Sequence, residues 1–339
     1  MAECHQPGSA PPLLSMQEAK TRDLRIDVVK GIGILLVIWA HLQGWLSKEI
    51  YIFHMPLFFF ISGMFFKDKK DFIETRFKSL IIPFILFNLA FGIIYYFEGG
   101  KHFQMLRLFS WTITSAIDGP TWFLLALFHS SVAYWVLNRY CKNFAAKIAI
   151  SFAIALPFYY CESILPLDFR QGMTALPFFA LGHWFSSHKS LVCDRWWKYT
   201  VMIAILAGTI AYCRLTQIRF DLHSGSLPAI FLIYYLGALS AIIPMLQIPW
   251  FSKPNFLNRS LALFGRKSLY IMALHMPYMW TIFNKIHKLW VFKDKDINDA
   301  FTIISTFVIV TAASLLISVV ISWCVNKLKH MQERMLEPL

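Results

Sequence analysis

The sequence predicts an all-α integral membrane bundle of about ten transmembrane helices with both termini in the cytoplasm. Three observations carry this. Of 339 residues, 57% are hydrophobic and only 15% are charged, against about 25% charged in an average soluble domain. Apolar runs recur along the whole chain at lengths near the roughly 20 residues that cross a bilayer core. The Lys and Arg residues gather in the links between those runs, 22 of the 32 in one alternate set of links and 10 in the other. By the positive-inside rule the richer set, which includes both termini, is cytoplasmic. The formal net charge of +13 therefore does not indicate a nucleic-acid partner, because no single basic domain holds it.

Residues 1–24 are polar, contain Pro7, Pro11 and Pro12, and lack the apolar core of a cleavable signal. They read as a flexible cytoplasmic tail. The first two crossings, 28–46 and 50–66, organise the rest. They read RIDVVKGIGILLVIWAHL and IYIFHMPLFFFISG, separated by a few polar residues. Ionisable residues in hydrocarbon cost about 2.5–3.5 kcal/mol each on insertion scales and mark function by default. The first run carries Asp27, Lys30 and His41, and the second carries His54. Lys30 and His41 are eleven residues apart, roughly three helical turns, so they share one stripe, and Asp27 falls within about 40° of it. The short link returns the chain at once, which sets His54 level with His41 on the adjacent antiparallel helix.

Eight further crossings follow, at 79–97, 120–138, 144–160, 171–187, 199–213, 227–248, 262–283 and 300–325. The third is entered through KDKKDFIETRFKSL, whose Arg76 and Lys78 serve either as a positive-inside anchor or as contacts for a donor's phosphates. Arg22 and Arg25 carry the same two readings. The fourth opens GPTWFLLALFHS, with Pro120 suited to a first helical turn and Asp118 placed to cap it. Pro157 and Pro177 interrupt the fifth and sixth. The charges of the outer link CESILPLDFRQ, with Asp168 and Arg170, read as solvated, as do His102 and His223 in neighbouring outer links. His129 reads as helix packing. The ninth crossing, GRKSLYIMALHMPYMW, sets His275 at mid-membrane. Six cysteines lack metal-ligand spacing, so no metal is expected.

The Lys30-x10-His41 spacing, followed by FFFISG on the next helix, resembles the acyltransferase-3 family of multispanning membrane O-acyltransferases. FHMPLFFFISG is similar to the branch described as fucose 4-O-acetylase-like. The WFL string at Trp122 and the S-x-Y-x4-H string of Ser268, Tyr270 and His275 are weaker matches. The resemblance covers about residues 22–325. It implies acetyl-CoA as acyl donor and a sugar hydroxyl of a cell-envelope glycan, or its lipid-linked precursor, as acceptor. It also implies that His41 and Lys30 are essential. Many relatives add a soluble esterase-like domain after the last helix; Leu339 leaves too few residues for one.

Acyl transfer to an alcohol needs a base for the hydroxyl proton and a donor for the tetrahedral oxyanion. His41 is read as the general base, with His54 assisting or binding the acceptor. Lys30 lies roughly 16 Å away along the helix, suited to the phosphate end of the donor. Arg25, Asp27 and Arg76 complete the donor site, and Ser62, Trp122 and His275 give substrate or structural support. The chain divides into a tail at 1–24, a transmembrane acyltransferase domain at 25–326 and a short cytoplasmic tail at 327–339, in the cell membrane and surrounded by lipid. A polytopic transporter or proton-coupled channel is the alternative, since the same ionisable stripe lines a proton path equally well. A structural subunit of a glycan assembly complex is a further one.

Overall fold

The structure is a computed structural model, and it describes residues 23–97, 119–161, 165–188, 195–276 and 300–336. The tail before Asp23, Arg22, His102, Asp118 and the end of the ninth crossing lie outside the described residues. Within them the chain is helical, and one isolated antiparallel bridge, Asp221 with Ser226, is the single extended pairing.

The element order follows the apolar runs. Helix α1 (Leu24–His41) starts at Asp23, whose carboxylate accepts from the Arg25 amide at 3.1 Å. That bond satisfies one of the amides a helix start leaves unpaired. A short α2 (Ser47–Ile50) leads to α3 (His54–Met64). Next come α4 (Phe72–Arg76), a π-helical turn (Phe77–Ile81) and α5 (Ile82–Phe97). They run on through α6 (Trp122–Tyr140), α7 (Phe144–Tyr160), α8 (Phe169–Ser187), α9 (Trp196–Thr216) and α10 (Phe231–Gln247). Helix α11 (Phe256–Arg266) precedes α12, helical over 268–276, and α13 (Ala300–Leu336) closes the order.

Four stretches are long and apolar enough to cross a membrane: Phe72–Ile93, Gly119–Tyr140, Trp196–Thr216 and Ala300–Lys327. Phe144–Tyr160 and Phe231–Gln247 are shorter apolar helices. Three expectations need correction. The 50–66 run is not one helix; α3 begins only at His54 and has 11 residues, about 16 Å of rise. The ninth crossing is broken by a turn at Lys267 into α11 and α12. Pro157 and Pro177 interrupt nothing, since α7 and α8 continue through both. Neighbouring helices satisfy what an internal proline frees.

Apolar residues on every side place α1 and α8 in the interior. Close backbone crossings hold them there. Gly31 of α1 lies against the Leu261 carbonyl of α11, and Gly265 of α11 against the Asp27 carbonyl. Gly63 of α3 lies against the Phe179 carbonyl of α8, and Gly182 against the Phe60 carbonyl. A side chain at any of these four positions would occupy the partner's backbone, which explains the glycine that ends FFFISG. Helices α5, α9 and α13 instead expose large apolar side chains, among them Leu86, Ile93, Ile203, Leu316 and Val320, as a lipid-facing surface does.

The links sort to two ends. At one, Arg214 at the end of α9 pairs with Glu49 at 2.7 Å, and Lys48 reaches Gln217 at 2.5 Å. Tyr159 of α7 donates to the Pro228 carbonyl at 2.6 Å. At the other end, Lys147 donates to Asn138 and Asn138 to Asp68, at 2.6 and 3.0 Å. All the described residues with positive φ, Gln43, Leu46, Leu167, Asp168, Gln217 and Gly225, belong to links of the first end. Left-handed backbone at non-glycine residues costs of order 1–3 kcal/mol each and gathers at functional sites.

Candidate active site

The histidine-bearing end of α1 is where that strained end of the bundle meets the core. His41 closes α1, His54 opens α3 and His275 lies on α12. The His41 and His275 rings are 5.1 Å apart, edge to face. Tyr51, from the link between α1 and α3, stands between the other two, 6.1 Å from His41 and 4.7 Å from His54. His54 and His275 are fully enclosed, while His41 keeps part of its surface open.

The three rings share one hydrogen-bonding pattern. Nδ1 of His41 lies 2.8 Å from the Val37 carbonyl, and Nδ1 of His54 lies 2.9 Å from the Ile50 carbonyl. Nδ1 of His275 lies 2.6 Å from the Met272 carbonyl. A carbonyl only accepts, so each Nδ1 carries the hydrogen and donates it. A neutral ring held this way presents Nε2 with its lone pair, the form a general base requires. The helix backbone itself thus selects the tautomer. In His275 that Nε2 is buried with no hydrogen-bond partner.

The link between α9 and α10 supplies the rest of this end. Arg219 sits over the Tyr51 ring, 4.4 Å from its centre, and pairs with Asp221 at 3.0 Å. Arg219, Asp221 and His223 all lie within electrostatic reach of His41. The other oxygen of Asp221 accepts from the His223 and Ser224 amides at 3.1 and 3.4 Å, fixing the turn. Burial raises the Asp221 carboxyl, but Ser224, Arg219 and His223 together hold it below its ordinary value. His223 stacks on Trp122 with ring centres 5.0 Å apart, and burial lowers its imidazole pKa despite Asp221. Asp168 lies 4.0 Å from His223 Nε2 and is only 4% exposed. With no cation in firm contact, burial pushes its carboxyl up to about 7.

The picture of solvated outer charges is corrected for Asp168, which is buried; the His223 side chain stacks on Trp122 yet keeps 42% of its surface exposed. Trp122 itself is only 6% exposed. Tyr51, Arg219, Asp221 and Gln171 were not singled out by sequence. Tyr51 comes from the short link beside His41, whereas Arg219, Asp221 and Gln171 reach the site from chain far away in sequence, where no local spacing announces them. His129 packs against Phe169 as expected, yet its Nδ1 is buried without a partner.

The remaining residues read from sequence sit elsewhere. Lys30 is half-buried on α1 and Asp27 is buried one turn before it; both have interaction partners. Arg25 pairs with Asp23 at 3.4 Å, and its Nε is buried without a partner. Arg76 ends α4 with its guanidinium 5.2 Å from the Phe72 ring centre. Ser62 is half-buried on α3. Cys141, Cys161, Cys213 and Cys324 are free thiols, and the described residues contain no grouping of metal ligands.

A family model described as "Acyltransferase domain" matches residues 23–323, nearly the whole described chain. The chain belongs to the acyltransferase-3 family. Two curated relatives, both called "Nodulation protein NolL", align with it. The Mesorhizobium japonicum protein is 31% identical over 218 residues, 56% of this chain and 55% of its own length. The Sinorhizobium fredii protein is 30% identical over 261 residues, 66% of this chain and 67% of its own. The chain thus spans about half of the first relative and two thirds of the second. No solved structure matches it. The acyltransferase match begins one residue before α1 and ends within α13, so the histidine cluster, the α9–α10 link and Lys30 all belong to the matched domain.

Proposed function

We propose that this acyltransferase-3 protein is a membrane O-acyltransferase that moves an acetyl group from acetyl-CoA to a sugar hydroxyl of a cell-envelope glycan or its lipid-linked precursor. The observation that carries this reading is His41. Its Nδ1–H is committed to the Val37 carbonyl, and it alone of the three clustered histidines keeps an open edge. In the reaction, Nε2 of His41 takes the proton of the acceptor hydroxyl as its oxygen bonds to the thioester carbonyl carbon. The tetrahedral intermediate then expels sulfur, and the imidazolium returns the proton to the departing thiolate. His275 packs edge to face on the His41 ring, and Tyr51, itself against His54 and under Arg219, is its other aromatic neighbour.

The donor's phosphates are assigned to the opposite end of α1. Lys30, Arg25 and Arg76 supply cationic donors there, and the unpaired, buried Nε of Arg25 is suited to an anionic oxygen. Asp27 orients Lys30. That end holds the basic links and is assigned to the cytoplasm, with about ten crossings and both termini inside. The two-ended sorting of the links supports this alternation.

The test is reconstitution in liposomes with acetyl-CoA, reading free thiol release against added acceptor, with mass spectrometry of envelope glycans from cells with and without the protein. Acceptor-dependent thiol release and one acetyl mass gained on one sugar are expected. Solute movement with no acetyl-CoA consumption would overturn the assignment in favour of a transporter.

A further inference from the structure

A second group of buried polar atoms lies beside the histidine cluster and takes no part in the proton transfer. Oδ2 of Asp168 and Oε1 of Gln171 are both buried with no hydrogen-bond partner among the described residues. Asp168 is the left-handed residue that precedes α8, and Gln171 lies in the first turn of that helix. Both residues converge on His223. Oδ1 of Asp168 is 4.0 Å from His223 Nε2, and Nε2 of Gln171 donates to the His223 carbonyl at 3.0 Å. The far face of His223 is closed by the Trp122 indole.

Orphaned buried acceptors are rare because each forfeits its solvation. Two on residues that both contact His223, next to consecutive left-handed residues Leu167 and Asp168, mark a place where a ligand would supply the missing partners. Its chemistry is constrained. Gln171 Oε1 only accepts, while the Asp168 carboxyl accepts when ionised and also donates when protonated, so a ligand group that both donates and accepts suits the pair. An anion gains nothing from the Gln171 oxygen and is repelled whenever Asp168 is ionised. A cation is opposed by Arg170, packed under Gly225 of the same link, and by Arg219 two residues before Asp221. A neutral group with several hydroxyls remains.

We propose that Asp168 and Gln171, walled by Trp122 and His223, form a hydroxyl-reading subsite that binds the sugar ring of the acceptor and sets which hydroxyl faces His41. The α9–α10 link joins this corner to the base: Asp221 and His223 lie within electrostatic reach of His41, and Arg219, two residues before Asp221, sits over the Tyr51 ring that neighbours His41. The proposal rests on the acyl-transfer reading only for what the bound sugar is used for; binding itself is independent of it.

The test uses full-length protein in detergent and a panel of methyl glycosides: α-L-fucoside, α-L-rhamnoside and α-D-glucoside. Binding is read by ligand-observed NMR, and acetyl transfer in parallel by thiol release. Asp168→Asn keeps a residue that tolerates the left-handed backbone and removes the charge. Gln171→Met keeps length and removes the amide oxygen. At least one glycoside should bind the parent, and each variant should bind it about 10-fold or more weakly, as loss of a good hydrogen bond implies. The acceptor KM should rise with it, and the KM for acetyl-CoA should stay unchanged. Failure of every glycoside to bind the parent, or unchanged binding and acceptor KM in both variants, overturns the subsite. Binding that weakens as expected in a protein that never transfers acetyl leaves the subsite standing and overturns the acyl-transfer reading.

Discussion

Replacing His41 tests the base assignment most directly. Its Nδ1–H is held by the Val37 carbonyl at 2.8 Å, so only Nε2 is available to take a proton. His41→Ala removes that nitrogen, and His41→Gln restores a hydrogen-bonding amide that cannot be protonated near neutral pH. General bases contribute about 10²–10⁴-fold in rate, which corresponds to roughly 2.7–5.5 kcal/mol of barrier. Both variants should therefore lose at least about 100-fold in kcat, with the KM for acetyl-CoA little changed because the proposed donor end lies roughly 16 Å along α1. Folding should survive, since His41 ends its helix and is only partly enclosed. In the parent the rate should fall at low pH as the ring gains a second proton and Nε2 loses its lone pair. The assay is single-turnover acetyl transfer in liposomes, normalised to monodisperse protein. Activity of His41→Ala within about threefold of the parent, well short of the general-base range, refutes the reasoning. The proton would then go elsewhere, with His275 next in line because its Nε2 is likewise unpaired.

Four other outcomes follow from the same geometry. Lys30→Ala should raise the KM for acetyl-CoA or abolish turnover, and unchanged donor kinetics in purified protein would remove Lys30 from the site. Gly63→Val should lower thermal stability by about 1–3 kcal/mol or prevent insertion, because its side chain would meet the Phe179 carbonyl; a melting temperature equal to the parent's would contradict the close α3–α8 crossing. A cysteine placed at Ser224 should react with an impermeant maleimide from outside the cell and one at Lys69 should not, and the opposite pattern would invert the topology. Asp168 changes stability with pH: its carboxyl is raised from 3.8 to about 7 in the fold, so the native state holds a proton that the unfolded chain has lost. Stability is then greatest near pH 4 and falls by up to roughly 4 kcal/mol as pH rises through 7; a melting profile equally steep in Asp168→Asn would assign the loss to other groups.

Much of the helical frame was legible in advance because it is written in local runs. Apolar stretches and the eleven-residue spacing of Lys30 and His41 are short-range features, whereas the caps Asp23 and Asn143 emerge only in the structure. The proximity of His41 and His54 was legible because so short a link leaves the chain little freedom. The break at Lys267 was not, since GRKSLYIMALH remains apolar and helix-forming on both sides and only packing against α1 decides where it turns. Nor was the inward fold of the α9–α10 link. A stretch reading RFDLHSGS has the polarity of an exposed loop, yet its Phe220, Asp221 and Leu222 are buried while its ends stay exposed. The contacts that hold it come from partners far away in sequence: Trp122, Asp168 and Gln171 on one side and Tyr51 on the other.

That inward fold gives the site its two-part character. The histidine cluster is built by helix backbones, whose carbonyls fix each ring through an i−4 or i−3 contact, so its geometry is as rigid as the bundle. The corner formed by Asp168, Gln171, Trp122 and His223 is instead assembled where helix starts meet links. Trp122 and Gln171 lie in the first turns of α6 and α8, and Asp168 and His223 lie in links. The α9–α10 link is pinned by Tyr159 donating to the Pro228 carbonyl and Tyr160 to the Ala229 carbonyl. Helical scaffolds hold reacting groups to the tolerance that chemistry requires, while links accept substitution at small cost to the fold. Within one family, then, the base is expected to stay in place while the α9–α10 link varies to admit different acceptors. Exchanging residues 222–226, which spares Arg219 and Asp221, between two members should move acceptor preference while the plateau kcat of the pH profile changes by less than the general-base range. A plateau loss of about 100-fold or more would make the two parts a single unit, with the link belonging to the proton-transfer machinery as well as to the acceptor's binding site.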